Sequence, residues 1–287
     1  MASPGGQSIL RRHQLVAFVA LTFAFSWAIW ILMVITGMSI KTTAGLALHI
    51  VATAGPSIAA LVLATAMGGT QLRELLAGFS LSRLSGRWSV VALVLPLAMM
   101  AIAIAGSVAM FGSPAPGVTV SVLGVLLGEF VRVLFLGGPL EEELGWRGFA
   151  LPRLQQHRGA LDASLLLGLV WGLWHIPLYF VLGTGQYETI SGGTSPAFAI
   201  GGFVVWTIGL SILFTWLFNQ TGGSLLVVML FHAAVNLAAF LPDAVGSAGA
   251  ASLLNVVVTW IVAIVVAVRF GRASLASAPA VRAASAP

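Results

Sequence analysis

Eight apolar segments follow one another along the chain, with short polar stretches between them. They cover residues 15–36, 44–68, 88–111, 118–138, 163–183, 197–218, 223–241 and 250–269. An apolar helix of about twenty residues crosses the ~30 Å hydrocarbon core of a bilayer. Within each segment the apolar residues run on rather than alternate, so the pattern predicts helices and not the strands of a membrane barrel. A helix also pairs its own backbone N–H and C=O groups, which lipid cannot do for it. The expected fold is therefore all-α, a polytopic transmembrane bundle of about eight helices. Residues 1–14 read as a polar N-terminal tail, 15–270 as the membrane domain, and 271–287 as a tail rich in Ala, Ser and Pro that is expected to be disordered. The first segment is too long for the apolar core of a signal peptide, and no A-x-A site follows it closely, so it is expected to remain as a helix.

Composition sharpens this picture. Of 287 residues, 59% are hydrophobic and 7% are charged, and the mean hydropathy is +1.04. A soluble domain carries roughly 25% charged residues. A chain this poor in charge must turn its outer surface to lipid. The net charge of +5 does not indicate nucleic acid, because the arginines stand singly between apolar segments and form no dense patch. They read instead as topology signals. With the N-terminus inside, the inner segments hold Arg11, Arg12, Arg73, Arg83, Arg87, Arg147, Arg153, Arg158, Arg269, Arg272 and Arg282, whereas the outer loops hold only Lys41. The positive-inside rule then places both termini in the cytoplasm. There is no cysteine, which excludes disulfides, thiolate zinc sites and cysteine nucleophiles.

Ionisable residues inside a membrane are costly and mark functional sites. Here they cluster in three stretches: Glu141-Glu142-Glu143 with Arg147 at the inner end of the fourth segment, Trp171 and His175 in the fifth, and His232 and Asn236 in the seventh. Glu143 and Arg147 are four apart and can pair on one helix face, as His232 and Asn236 can share another. Glu142 points about 100° away from Glu143 and is free for other work. A carboxylate, imidazoles and an amide donor on separate helices can activate water and stabilise an oxyanion. Glu142, His175 and His232 would also suffice as zinc ligands, although an H-E-x-x-H motif is absent. Each element has a plainer reading when taken alone. Three glutamates at a helix end read as a solvated interface, with Glu141 a flanking acid, and a lone histidine reads as interhelical glue. Glu129 and Arg132 read as a structural ion pair and His49 as packing.

Together, Glu-Glu-x-x-x-Arg, aromatic-x-x-x-His and His-x-x-x-Asn, in that order on separate helices, resemble the CPBP family of type II CAAX prenyl proteases and bacteriocin-processing (Abi-type) membrane proteases. The stretches Glu143-Leu144-Gly145-Trp146-Arg147-Gly148, Trp174-His175-Ile176-Pro177 and Gly55-Pro56-Ser57 strengthen the resemblance, which covers about residues 50–240. Trp171 stands where the family often has Phe. The resemblance implies an intramembrane endopeptidase acting on a membrane-presented, possibly lipidated peptide or protein. It implies that Glu142 activates the attacking water with help from His175, that His232 and Asn236 stabilise the oxyanion, and that Glu143 and Arg147 organise the site. It leaves open a metal-bound or a carboxylate-activated water. The pocket is expected to open toward the cytoplasm from the cell membrane. A proton-coupled transporter, or a non-catalytic immunity or scaffold protein, would place the same groups in a membrane.

Overall fold

A computed structural model describes residues 13–247 and 249–277, and every regular element among them is helical. Arg11, Arg12, Arg282 and most of the C-terminal tail lie outside these residues. Seven helical stretches are long and apolar enough to cross a membrane, and a bent pair makes an eighth. The chain is thus a multi-pass helical membrane protein.

Helix α1 spans Gln14–Thr36. The second segment is broken: α2 (Thr43–Thr53) and α3 (Gly55–Met67) meet at 44°. Pro56 at the start of α3 cannot donate a backbone hydrogen bond and crowds the preceding turn, which accounts for the bend. A short helix α4 (Gly69–Leu76) leads to α5 (Gly86–Phe111). Helix α6 (Val120–Leu136) then stops at Gly137–Gly138, and the five-residue helix α7 (Pro139–Glu143) follows the interruption. It runs into a π-helical turn, Leu144–Ala150, and then α8 (Leu151–Gln155). The fourth segment is therefore not one rod with a polar end, as its hydropathy suggests. Its acidic motif sits beyond a break, on a short α-helix that leads into the wider-wound turn.

Helix α9 (Ala160–Trp174) ends at His175 and tightens into a 3₁₀ turn, Ile176–Tyr179, because Pro177 has no N–H to extend the α-helical ladder. The short α10 (Gly185–Ser191) precedes α11 (Pro196–Gln220), α12 (Leu225–Ala244) and α13 (Ala251–Phe270). Helix α9 packs along α11, and α12 packs against α5, α6 and α7. Phe18, Trp146, Phe149 and Trp174 are among the largest side chains sealed in the core.

Loop contacts agree with the relative sidedness expected from charge. Lys41 pairs with Glu188 at 3.0 Å at one end of the bundle. At the other, Arg272 pairs with Asp162 at 3.1 Å. The tail departs from expectation over residues 271–277. The carbonyls of Ala273 and Arg272 accept from the amides of Ala160 and Leu161, the first two residues of α9, and Leu275 is fully buried. Gly159, the residue before that helix, has no side chain to cap it, so the returning chain satisfies the exposed amides instead.

Candidate active site

The three sequence stretches converge at the break after α6. Glu142 and Glu143 come from α7, Arg147 from the π-helical turn, Trp171 and His175 from the end of α9, and His232 and Asn236 from α12. The site side chains except Asn236, which is half-buried, are buried.

An ionic triad forms its floor. Arg147 Nη1 donates to Glu143 Oε1 at 2.8 Å, and His232 Nδ1 meets the same oxygen at 2.7 Å. Neither Glu143 nor Arg147 has exposed side-chain surface. The guanidinium lies over the Phe214 ring at 3.8 Å and the Trp171 ring at 4.6 Å, so aromatic faces supply part of the stabilisation that water would otherwise give. Arg147 Nε and Nη2 and Glu143 Oε2 have no hydrogen-bond partner among the described residues. The expected i→i+4 pairing is thus met, and His232 joins it.

Glu142 is held separately. The Trp171 indole Nε1–H donates to Glu142 Oε2 at 2.7 Å. Its other oxygen faces Gly138. A Cβ at Gly138 would come within 2.6 Å of Glu142 Oε1 and 3.4 Å of His232 Nε2, so these two atoms address a common point. Gly138 adopts φ +114°, backbone that side-chain-bearing residues rarely accept. Its lack of a side chain serves both the turn and the space. A second close approach lies behind the π-helical turn, where a Cβ on Gly145 would meet the Pro56 carbonyl carbon at 2.5 Å.

His175 Nδ1 lies 2.7 Å from the Trp171 carbonyl oxygen, which can only accept, leaving Nε2 without a proton in the neutral ring. Asn236 Nδ2 donates to Gly137 O at 2.8 Å and ties α12 to the break. Glu141, read from sequence as a flanking acid, is buried, and its carboxylate accepts from the Gly138 amide at 3.1 Å. It caps the turn that carries the site. An acid three residues beyond a Gly-Gly-Pro break is the signal that could have shown this. The Trp171–Glu142 bond had no such signal, because it joins residues from different helices. His49 matches its expected packing role, lying 3.3 Å from Trp30 Nε1. Glu129 and Arg132 do pair, with Nε donating to Oε2 at 2.8 Å.

Among the described residues no three His, Cys, Asp or Glu side chains come together as a group able to hold a metal ion. His175 and His232 each commit Nδ1 to a protein oxygen and keep Nε2 free.

A similarity to known proteins falls on the region that carries this site. Residues 129–238 match the family model described as type II CAAX prenyl endopeptidase Rce1-like. A 111-residue stretch is 37% identical to a protein of Methanococcus maripaludis named CAAX prenyl protease 2, covering 38% of this chain and 40% of that relative. The matched region thus spans about two-fifths of the relative's length.

Proposed function

We propose that this chain is an intramembrane endopeptidase that hydrolyses a peptide bond near the C-terminus of a prenylated peptide or protein, because residues 129–238 match the family model described as type II CAAX prenyl endopeptidase Rce1-like. The observation that carries the reading is the common point faced by Glu142 Oε1 and His232 Nε2 beside Gly138. A water placed there loses a proton to Glu142 as its oxygen attacks the scissile carbonyl. Glu142 then returns the proton to the departing amine.

The other residues take complementary parts. His175 offers Nε2 as an acceptor that orients the water. Glu143 accepts from His232 Nδ1–H and so turns Nε2 toward Gly138. When Nε2 also carries a proton, it joins the amide hydrogen that Asn236 does not spend on Gly137 in stabilising the oxyanion. Arg147 holds Glu143 in place. No step runs through a metal. The site opens to the cytoplasmic face of the cell membrane, where a lipidated C-terminus is presented.

Peptides ending in prenylated Cys-a-a-X, their unprenylated counterparts and unrelated peptides are offered to the purified protein in detergent, with products read by mass spectrometry. Wild type cleaves the prenylated set, and Glu142→Gln lowers the rate at least about 10³-fold while remaining folded. A chelator leaves the rate unchanged. If folded wild type cleaves nothing, the protease reading is wrong. A chelator-induced loss that zinc restores would overturn the metal-free route.

A further inference from the structure

The indole of Trp171 does more than fill space. Resting on the reading of Glu142 as the base, we propose that Trp171 is a positioning residue that directs the proton of Glu142 to one oxygen. The indole N–H is a donor with no acceptor capacity. Bound at 2.7 Å to Oε2, it favours that oxygen as the better-accepting carbonyl oxygen, so a proton taken by Glu142 goes preferentially to Oε1. Oε1 is the oxygen that faces Gly138 and His232 Nε2. One atom therefore receives the proton from water as the C–O bond forms, and the same atom delivers it to the amide nitrogen as the C–N bond breaks. A carboxyl group without this constraint could rotate or protonate on Oε2, and the proton would then point away from the leaving group.

The indole is itself fixed on several sides. Its ring packs edge-on to Phe214 at 5.5 Å and His232 at 5.6 Å, and Arg147 lies over it at 4.6 Å. The Trp171 carbonyl accepts from His175 Nδ1, so one residue orients the carboxylate with its side chain and an imidazole with its backbone. Phenylalanine would keep much of the packing and lose the donor. The sequence difference at this position is therefore a chemical difference in how the base is held.

The test separates the N–H from the ring. Trp171 is replaced by Phe and by β-(3-benzothienyl)alanine, which retains the bicyclic shape without an N–H. Both variants are expected to keep the wild-type melting temperature and KM for a prenylated peptide while kcat falls about 10- to 100-fold, the scale of a lost hydrogen bond to a charged group. An activity-independent readout accompanies this: the Trp171 indole ¹H–¹⁵N signal, assigned by its loss in Trp171→Phe, moves in Glu142→Gln. If that signal ignores Glu142→Gln, the hydrogen bond is absent and the proposal falls. It also falls if the benzothienyl variant retains full kcat. A wild type that cleaves nothing, with an indole signal that still responds to Glu142, overturns the protease reading and leaves the hydrogen bond standing.

Discussion

Two carboxylate–guanidinium pairs occupy the two halves of one apolar segment, and they live in different worlds. Glu129 and Arg132 sit three apart on α6, with side-chain exposures of 21% and 49%. Glu143 and Arg147 sit four apart beyond the break, with none. The residue types and local spacing are nearly the same. What separates them is the turn at Gly137–Gly138, which ends a helix lying on the outside of the bundle and drives the next one inside. The first pair satisfies itself on a surface. The second has drawn in a histidine from α12 and two aromatic faces, and it sets the charge around Glu142. Burial, not the pair, turns an ion pair into part of a site.

Removing one partner should break this contrast most sharply. Arg147→Ala leaves Glu143 buried without its main counter-charge, and a stranded buried charge costs about 3–5 kcal/mol. The unfolding midpoint in detergent should fall accordingly, and a variant as stable as wild type would mean that the triad is not stabilising the fold. Gly138→Ala tests the turn itself. Its positive φ costs about 1–3 kcal/mol for a side-chain-bearing residue, and the new carbon would crowd Glu142 Oε1. Cleavage should therefore drop by more than the loss of folded protein explains. Asn236→Ala unties Gly137 O from α12 and should cost about 1 kcal/mol in stability, with a larger loss in kcat. The smallest effect belongs to the outer pair. Glu129→Gln combined with Arg132→Gln removes both charges together, and stability should change by less than about 1 kcal/mol because neither charge is left without its partner. A loss as large as that of Arg147→Ala would erase the distinction between the two pairs.

Much of the site was legible before any coordinates. Intramembrane polar residues are rare, so Glu142, Glu143, Arg147, His175, His232 and Asn236 stood out against their apolar surroundings. Helical spacing then paired Glu143 with Arg147 correctly. Spacing could not say that His232 and Arg147 share one oxygen of Glu143, or that the Trp171 indole reaches Glu142. Nor could it give Glu141 its capping role, which exists only once Gly138 turns the chain. Spacing was equally silent on whether Glu142, His175 and His232 could share a metal. Three suitable ligand types on three helices do not define where their free nitrogens and oxygens aim.

The fold divides along the same line. Lipid has no partners for a bare backbone, so eight long apolar runs oblige the chain to form membrane helices, and the order of residues alone settles that much. Pro56 and Pro177 mark helix breaks through local sterics, which are also written in the order of residues. The rest came from packing between distant segments. The burial of α7 after the Gly137–Gly138 turn, the wide turn around Gly145 against Pro56, and the return of residues 271–277 over the start of α9 all depend on which surfaces meet. Hydropathy and periodicity describe one helix at a time. The site is made where three chain segments meet, and only their docking brings Glu142, Glu143, Trp171 and His232 into contact.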